Sequence, residues 1–202
     1  MKAVIYDFDG TLCDSIPCSF QATQSVFKAF GIDPPPFETY VRAFGPPYAQ
    51  YYWENGLPTS VSESEIWEAY LPRARLDQAR LFPDAIRSVG LQKRAGYRLG
   101  LVTGRAAMKL RRAMNRHDCW HLFDCIVSET TPDKTRAFGC ACAALGISPS
   151  DAYSVGDLAS DMRDSAKSGL VPIGIVRHGH DVSDILFEAG ASRVIQKLSE
   201  LL

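Results

Sequence analysis

Asp7 and Asp9, separated by one residue in the run Asp7-Phe8-Asp9-Gly10-Thr11-Leu12-Cys13, are the side chains in this sequence best placed to do chemistry. They follow directly on Ala3-Val4-Ile5-Tyr6, an apolar run that reads as a buried strand. The i, i+2 spacing puts both carboxylates on the same side of the strand where it ends, and Gly10 lets the chain turn away sharply. Open parallel sheets take their ligands at the carboxyl ends of their strands, so the pair sits where chemistry is expected. Carboxylates this close repel unless a cation or a shared proton relieves them. The pair is therefore a candidate metal site and nucleophile.

Such a strand end needs a sheet to hold it. From Phe82 onward, strand-like segments over 97–102, 123–127, 152–155, 171–176 and 192–195 alternate with helix-like segments. The helices are expected near 105–117, 134–145, 160–167 and 182–188, with a last one closing the chain. This alternation predicts an α/β, Rossmann-like fold: right-handed βαβ units in a mostly parallel sheet flanked by helices. In the first of these helices Arg105, Lys109, Arg112 and Arg116 share one face and Ala106, Leu110 and Ala113 another. The basic face reads as solvated rather than as a nucleic-acid contact, because the formal net charge of the chain is only −1. In the second, Phe138, Ala141, Cys142 and Leu145 fall at helical spacing and would face the sheet, which makes Cys142 a core residue rather than a nucleophile.

Residues 15–81 differ. Helical patterns there are interrupted by Gly31-Ile32-Asp33-Pro34-Pro35-Pro36, by Gly45-Pro46-Pro47 and by Gly56-Leu57-Pro58, and they carry no buried-strand pattern. Phe37, Tyr40, Phe44, Tyr48, Tyr51, Tyr52, Trp53, Trp67 and Tyr70 crowd the same stretch. It reads as a helical domain inserted after the first strand, with most of those rings as its core and some as candidates to line a pocket. The division expected is a core of residues 1–14 and 82–202 and an insert of residues 15–81.

Composition narrows the function classes. With 46% hydrophobic and 22% charged residues the chain reads as an ordinary soluble globular protein. Near-neutral charge gives no case for nucleic acid or an anionic membrane surface as partner. The start of the chain does not read as a secretory signal, and no apolar stretch approaches the roughly 20 residues of a membrane span. The six cysteines (Cys13, Cys18, Cys119, Cys125, Cys140 and Cys142) are then expected as free, buried thiols in a reducing cytoplasm, with no spacing suited to zinc.

Further groups fall at the ends of the later strands. Thr103-Gly104-Arg105 offers a hydroxyl and backbone N–H groups at a helix start, a cradle for phosphate. Lys134 opens the next helix, after Pro132-Asp133, and Gly156-Asp157 ends a strand with Asp161 four residues on. Singly, these read as a turn, a surface lysine and a helix cap. Gathered at the strand ends of one sheet, they read as a site.

Asp7-Phe8-Asp9-Gly10-Thr11-Leu12, Thr103, Lys134 and Gly156-Asp157-Leu158-Ala159-Ser160-Asp161 together resemble the four motifs of the haloacid dehalogenase superfamily. Within it, the chain is most similar to the phosphoglycolate-phosphatase-like hydrolases with a helical cap. The likeness spans nearly the whole chain, with Leu81-Phe82-Pro83-Asp84 resembling the return into the core. The resemblance implies a Mg²⁺-dependent phosphatase acting on a small phosphorylated metabolite, such as phosphoglycolate, a sugar phosphate or a nucleotide, through an aspartyl-phosphate. It implies Asp7 as nucleophile and Asp9 as acid/base. Mg²⁺ would be held by Asp7, the backbone carbonyl of Asp9 and Asp157, with Asp161 as supporting carboxylate or second ligand. Thr103 and Gly104 would hold phosphoryl oxygens, and Lys134 would offset their charge. A phosphomutase of the same superfamily is the alternative, and a non-catalytic scaffold a more distant one.

Several residues depart from the pattern or extend it. Lys134 precedes Thr135 where the family often has proline, and Thr-Gly-Arg stands where many relatives have Thr-Asn. Asp9 argues against the dehalogenase branch, since a leaving halide needs no proton. Lys28, the lone lysine of residues 15–81, leaves little for Schiff-base chemistry. Phe44-Gly45-Pro46-Pro47-Tyr48 corresponds to the cap loop that enters the family's active site, making Gly45 a candidate substrate contact. Arg42, Arg73 and Arg75 suit either an anionic substrate tail or local ion pairs. His178-Gly179-His180 reads as a polar rim rather than a metal site.

Overall fold

β1 (Ala3–Tyr6) is buried along its whole length in the computed structural model, which describes residues 3–201. Four helices follow: α1 (Ile16–Ala29), α2 (Phe37–Ala43), α3 (Tyr48–Glu54) and α4 (Glu63–Tyr70). The alternating part then runs α5 (Ala85–Arg94), β2 (Arg98–Val102), α6 (Ala107–Asn115), β3 (Cys125–Val127), α7 (Thr135–Leu145), β4 (Ala152–Gly156), α8 (Ala159–Lys167), β5 (Val171–Ile175), α9 (Ser183–Glu188) and β6 (Arg193–Ile195). The closing helix expected from the sequence is a 3-10 turn, Leu198–Leu201. β3 is shorter than expected; just before it, Asp124 N–H donates to Leu99 O at 2.7 Å while Asp124 Oδ2 accepts from Leu99 N–H at 2.8 Å.

All strand pairs are parallel, in the order β3-β2-β1-β4-β5-β6. The first strand made is thus a central one, and the order reverses at it. Tyr6 stands level with Leu101 of β2 and Val155 of β4, so the residues that follow these three strands emerge side by side. That is where doubly wound sheets form their ligand crevice.

Adjacent residues of β1 serve opposite faces, as the pleat requires. Ile5 packs with Phe138, Ala141, Cys142 and Leu145, the α7 residues expected to face the sheet. Tyr6 points the other way and donates its hydroxyl to Gln92 of α5, where burial raises its pKa. Helices therefore cover both faces.

The chain divides into two units. The described residues through Asp14, together with those from Arg80 on, form one; Ser15–Ala79 forms the other. The return falls at Arg80 because the two connecting segments pair. Cys13 bridges Leu81 antiparallel, Asp14 N–H donates to Arg80 O at 2.7 Å, and Phe82 N–H to Leu12 O at 2.9 Å.

Within Ser15–Ala79, Phe27, Tyr40, Tyr51, Tyr52, Ile66 and Tyr70 form a buried cluster against which Phe37, Phe44, Trp53 and Trp67 pack. Each fully buried ring contributes about 1.5–3 kcal/mol. The tyrosine hydroxyls are led back to α1: Tyr40 donates to Ser19 Oγ at 2.8 Å, and Tyr52 lies 3.3 Å from Thr23 Oγ1. Ser62 and Glu65 form a reciprocal cap at the start of α4.

Among the described residues no helix is long and apolar enough to cross a membrane. All six cysteines are thiols, but contrary to the expectation of buried thiols Cys18 and Cys125 are half-buried and Cys140 is exposed, the last because it lies on α7 away from the sheet-facing residues.

Candidate active site

Asp7 leaves the end of β1 only 5% exposed. Lys134 Nζ donates to Asp7 Oδ1 at 2.6 Å and to Asp161 Oδ1 at 2.8 Å. Thr11 Oγ1 donates to Asp157 Oδ1 at 2.9 Å. One oxygen each from Asp7, Asp157 and Asp161 lie within 4.8 Å of one another. Two glycines make this crowding possible. A Cβ on Gly10, whose φ is +80°, would stand 2.1 Å from Asp157 Oδ2, and one on Gly156 would stand 2.5 Å from the Cβ of Asp161. The motif glycines are thus required by the carboxylates beside them as well as by the turn.

These groups strain one another electrostatically. The Asp7 carboxyl is pushed up to about 7, first by burial and then by Asp161 and Asp9, against the pull of Lys134. Burial, with Asp7 and Asp161 adding, pushes Asp157 well above the usual carboxylate range. Lys134 is raised in spite of its own burial, by Asp161 and Asp7. Ionising all three carboxylates against the one ammonium would leave an excess of negative charge that a divalent cation would neutralise. An all-oxygen set suits a hard cation such as Mg²⁺ or Ca²⁺. The residues present fit a metal of that class.

α8 fixes Lys134 from both ends. Asp161 takes the ammonium, while Asp164, one turn further on, takes the Lys134 backbone N–H on Oδ2 at 2.9 Å. Asp164 is buried, and that burial raises its pKa. Thr135, at the position often held by proline in the family, has its N–H satisfied by Asp133 Oδ1 at 2.8 Å. Sequence reasoning did not single out Asp164, although an acid three residues past Asp161 shares its helix face.

Asp9 stands apart from this cluster. Arg105 Nε donates to Asp9 Oδ2 at 3.0 Å and Arg105 Nη2 to Asp9 Oδ1, a two-point grip. Within the chain the two carboxylates meet different cations, Lys134 for Asp7 and Arg105 for Asp9. Two expectations are corrected here. β1 ends at Tyr6, so strand geometry does not carry through to Asp9. Nor does Arg105 belong to a solvated helix face: α6 begins at Ala107, and the Arg105 side chain is 3% exposed, while Lys109, Arg112 and Arg116 are exposed.

Thr103 is buried, its N–H donating to Val127 O at 3.0 Å. Its Oγ1 accepts the Arg105 N–H at 3.1 Å, leaving the hydroxyl proton to donate elsewhere. Gly104 is exposed in the same loop, which is tied to the exit of β3 by Thr130 N–H donating to Thr103 O at 3.2 Å. Because α6 starts later than expected, these N–H groups belong to a loop, not to the first turn of a helix.

Asp7, Asp157, Asp161 and Lys134 are therefore in mutual reach, and Thr103, Gly104 and Asp9 stand on the loops after β1 and β2. Gly45 lies in the other unit, between α2 and α3, half-buried and with open space about it. Arg42, Arg73, Arg75 and Lys28 are exposed residues of that unit. His178 Nε2 lies 2.8 Å from Asp14 Oδ1. Arg177, which sequence reasoning passed over, donates to Asp84 Oδ1 at 3.1 Å and to Thr11 O at 2.9 Å. It binds the returning segment to the loop after β1. No hydrophobic period signals such a residue.

Known proteins resemble the chain along its whole length. The chain is 26% identical over 216 residues to "Phosphoglycolate phosphatase 1" of Pseudomonas aeruginosa, an alignment covering 100% of this chain and 78% of that one. It is likewise 26% identical over 217 residues to "Phosphoglycolate phosphatase" of Chromobacterium violaceum, covering 100% and 95%. Among solved structures, a hydrolase of the haloacid dehalogenase-like family from Streptococcus pneumoniae superposes with a TM-score of 0.81 at 24% identity, covering 100% and 96%, and shows the same fold. The model of the family described as haloacid dehalogenase-like hydrolase matches residues 4–175, and the chain belongs to that family.

Proposed function

We propose that the protein is a phosphatase that hydrolyses small phosphomonoesters through an aspartyl-phosphate formed on Asp7. The observation that carries this reading is Asp7 itself. It is a nearly buried carboxylate at a central strand end, with an ammonium at 2.6 Å and two further carboxylates beside it. An isolated arrangement of that kind is costly to bury, and chemistry is the reason to keep it.

In this reading an Asp7 oxygen attacks phosphorus in line. The phosphorus–oxygen bond to the alcohol breaks as the new one forms, and Asp9 gives its proton to the departing oxygen. Water then attacks the aspartyl-phosphate while Asp9 takes a proton back, which frees phosphate and restores Asp7. The Thr103 hydroxyl and the Gly104 N–H hold phosphoryl oxygens, and Lys134 offsets charge on the nucleophile. Asp7, Asp157 and the Asp9 backbone carbonyl would hold Mg²⁺, with Asp161 in support. When bound, the ion offsets charge on the phosphoryl group.

The two relatives are named for phosphoglycolate, which makes a small phosphorylated acid the first substrate to try. Ser15–Ala79 is assigned as the substrate-selecting cap, with Gly45 as a contact. The test is phosphate release from a panel of phosphoglycolate, sugar phosphates and nucleotides with Mg²⁺, beside Asp7→Asn. Release by the unaltered protein and none by the variant is expected. Equal release by both overturns the reading.

A further inference from the structure

We propose that Arg105 is a positioning residue for this reaction: its two-point grip on Asp9 sets where the proton-transferring carboxylate stands. The inference rests on the phosphatase reading above and adds a residue to it.

Nε and Nη2 meet the two oxygens of Asp9 separately, so the planar fork fixes the plane of the carboxylate as well as its distance. The guanidinium is itself held. Its carbon lies 4.8 Å from the centre of the Phe8 ring, Nη2 is 3.9 Å from Cys13 Sγ, and the side chain is 3% exposed. A charge placed that deep is expensive unless it is paired, and Asp9 supplies the pair. Among the described residues Nη1 is buried without a hydrogen-bond partner, so the placement is not one that merely satisfies the arginine.

The main chain of Arg105 carries the argument further. Its N–H donates to Thr103 Oγ1 at 3.1 Å, and its carbonyl accepts from Glu129 N–H at 3.2 Å. One residue thus ties the hydroxyl assigned to the phosphoryl group to the carboxylate assigned to the leaving oxygen. Those two groups must stand a fixed distance apart, because the phosphoryl group and its leaving oxygen are bonded to each other. Misplacement by about 1 Å costs about a hundredfold in such arrangements. Lysine would keep the charge but could not grip both oxygens in one plane.

Two esters separate positioning from general support. An alkyl phosphate, the one turned over best in the panel above, needs a proton on its leaving oxygen; p-nitrophenyl phosphate does not. For Arg105→Lys and Arg105→Met, kcat/KM, which reports the step that expels the alcohol and not the later attack of water, is expected to fall about 10- to 100-fold on the alkyl ester and to stay within about threefold on the aryl ester. In an Asp9→Asn background, replacing Arg105 should produce no further loss. Unfolding midpoints accompany each variant, and Arg105→Lys carries the test if Arg105→Met does not fold. Equal losses on the two esters, full additivity with Asp9→Asn, or an unimpaired Arg105→Lys would each overturn the proposal. Release from neither ester by the unaltered protein would instead overturn the phosphatase reading, and this inference with it.

Discussion

The two units of the chain bury different things. Ser15–Ala79 buries rings and aliphatic chains, and its buried polar residues are Ser15 and Thr23. The sheet unit buries an apolar core too, but also Asp7, Arg105, Asp161 and Asp164. In the first, what matters is volume; in the second, near the strand ends, what matters is the balance of charge. A helical bundle filled with rings needs only to be dense. A cluster of carboxylates under an ammonium is costly to bury, and that difference sets the proposed site apart from the rest of the molecule.

The sharpest way to break this contrast is Lys134→Met, which keeps much of the side-chain volume and removes the charge. It leaves Asp7 and Asp161 without their ammonium, and about 3–5 kcal/mol of stability should be lost in urea unfolding, together with phosphate release. A midpoint unchanged from the unaltered protein would mean that charge balance does not govern the strand ends. Phe27→Ala is the counterpart in the helical unit, where Phe27 packs beside Tyr51 and Tyr52. It should also cost about 3–5 kcal/mol, while Phe27→Leu, which restores most of the volume, should cost well under half of that.

Gly10→Ala probes the seam between space and charge. Its φ of +80° costs a residue with a side chain about 1–2 kcal/mol, and its Cβ would displace the Asp157 carboxylate. Weaker Mg²⁺ binding, read by calorimetry, should accompany the loss. The last probe is pH. The Asp7 carboxyl stands at about 7 in the folded chain against 3.8 as its ordinary value, so the folded state holds a proton over that interval that the unfolded state has released. Its contribution to stability is full below 3.8 and is lost as pH rises through about 7. In chelator, the urea midpoint should fall across that window relative to Asp7→Asn, and Mg²⁺ should flatten the slope. An identical slope in the variant would assign the titration to another group.

Much of this was legible in the sequence because it follows from periodicity. Unbroken apolar runs marked β1 and its neighbours, and short turns after them placed Asp7, Thr103, Lys134 and Asp157 at their ends. What sequence reasoning missed depends on contacts between distant segments. Arg105 was placed on a helical wheel with Lys109 four residues on, a spacing that fits a helix face only if the helix includes Arg105. It does not, and the guanidinium turns inward to Asp9. The Thr-Gly-Arg turn at a strand end, facing an acidic loop of opposite charge, was the available signal. Asp164 and Arg177 are polar residues whose partners are Lys134 and Asp84, 30 and 93 residues away, and no local pattern announces them. The i, i+2 reading of Asp7 and Asp9 rests on strand geometry, and β1 ends at Tyr6, before either residue.

Of the six strands described, β1 is the earliest made and is completed late. Ala3 pairs with Arg98 on one side and with Ala152 on the other, so the strand waits through most of the chain before both its edges are bonded. Contacts this distant in sequence make folding slow, and an unpaired strand edge invites the wrong neighbour in the meantime. Asp7 emerges from the ribosome long before Lys134 and Asp157, the groups that offset or join its charge. A chain halted before Ala152 would hold Asp7 without its setting, and the carboxylate cluster comes together only as the sheet closes around the earliest of its strands.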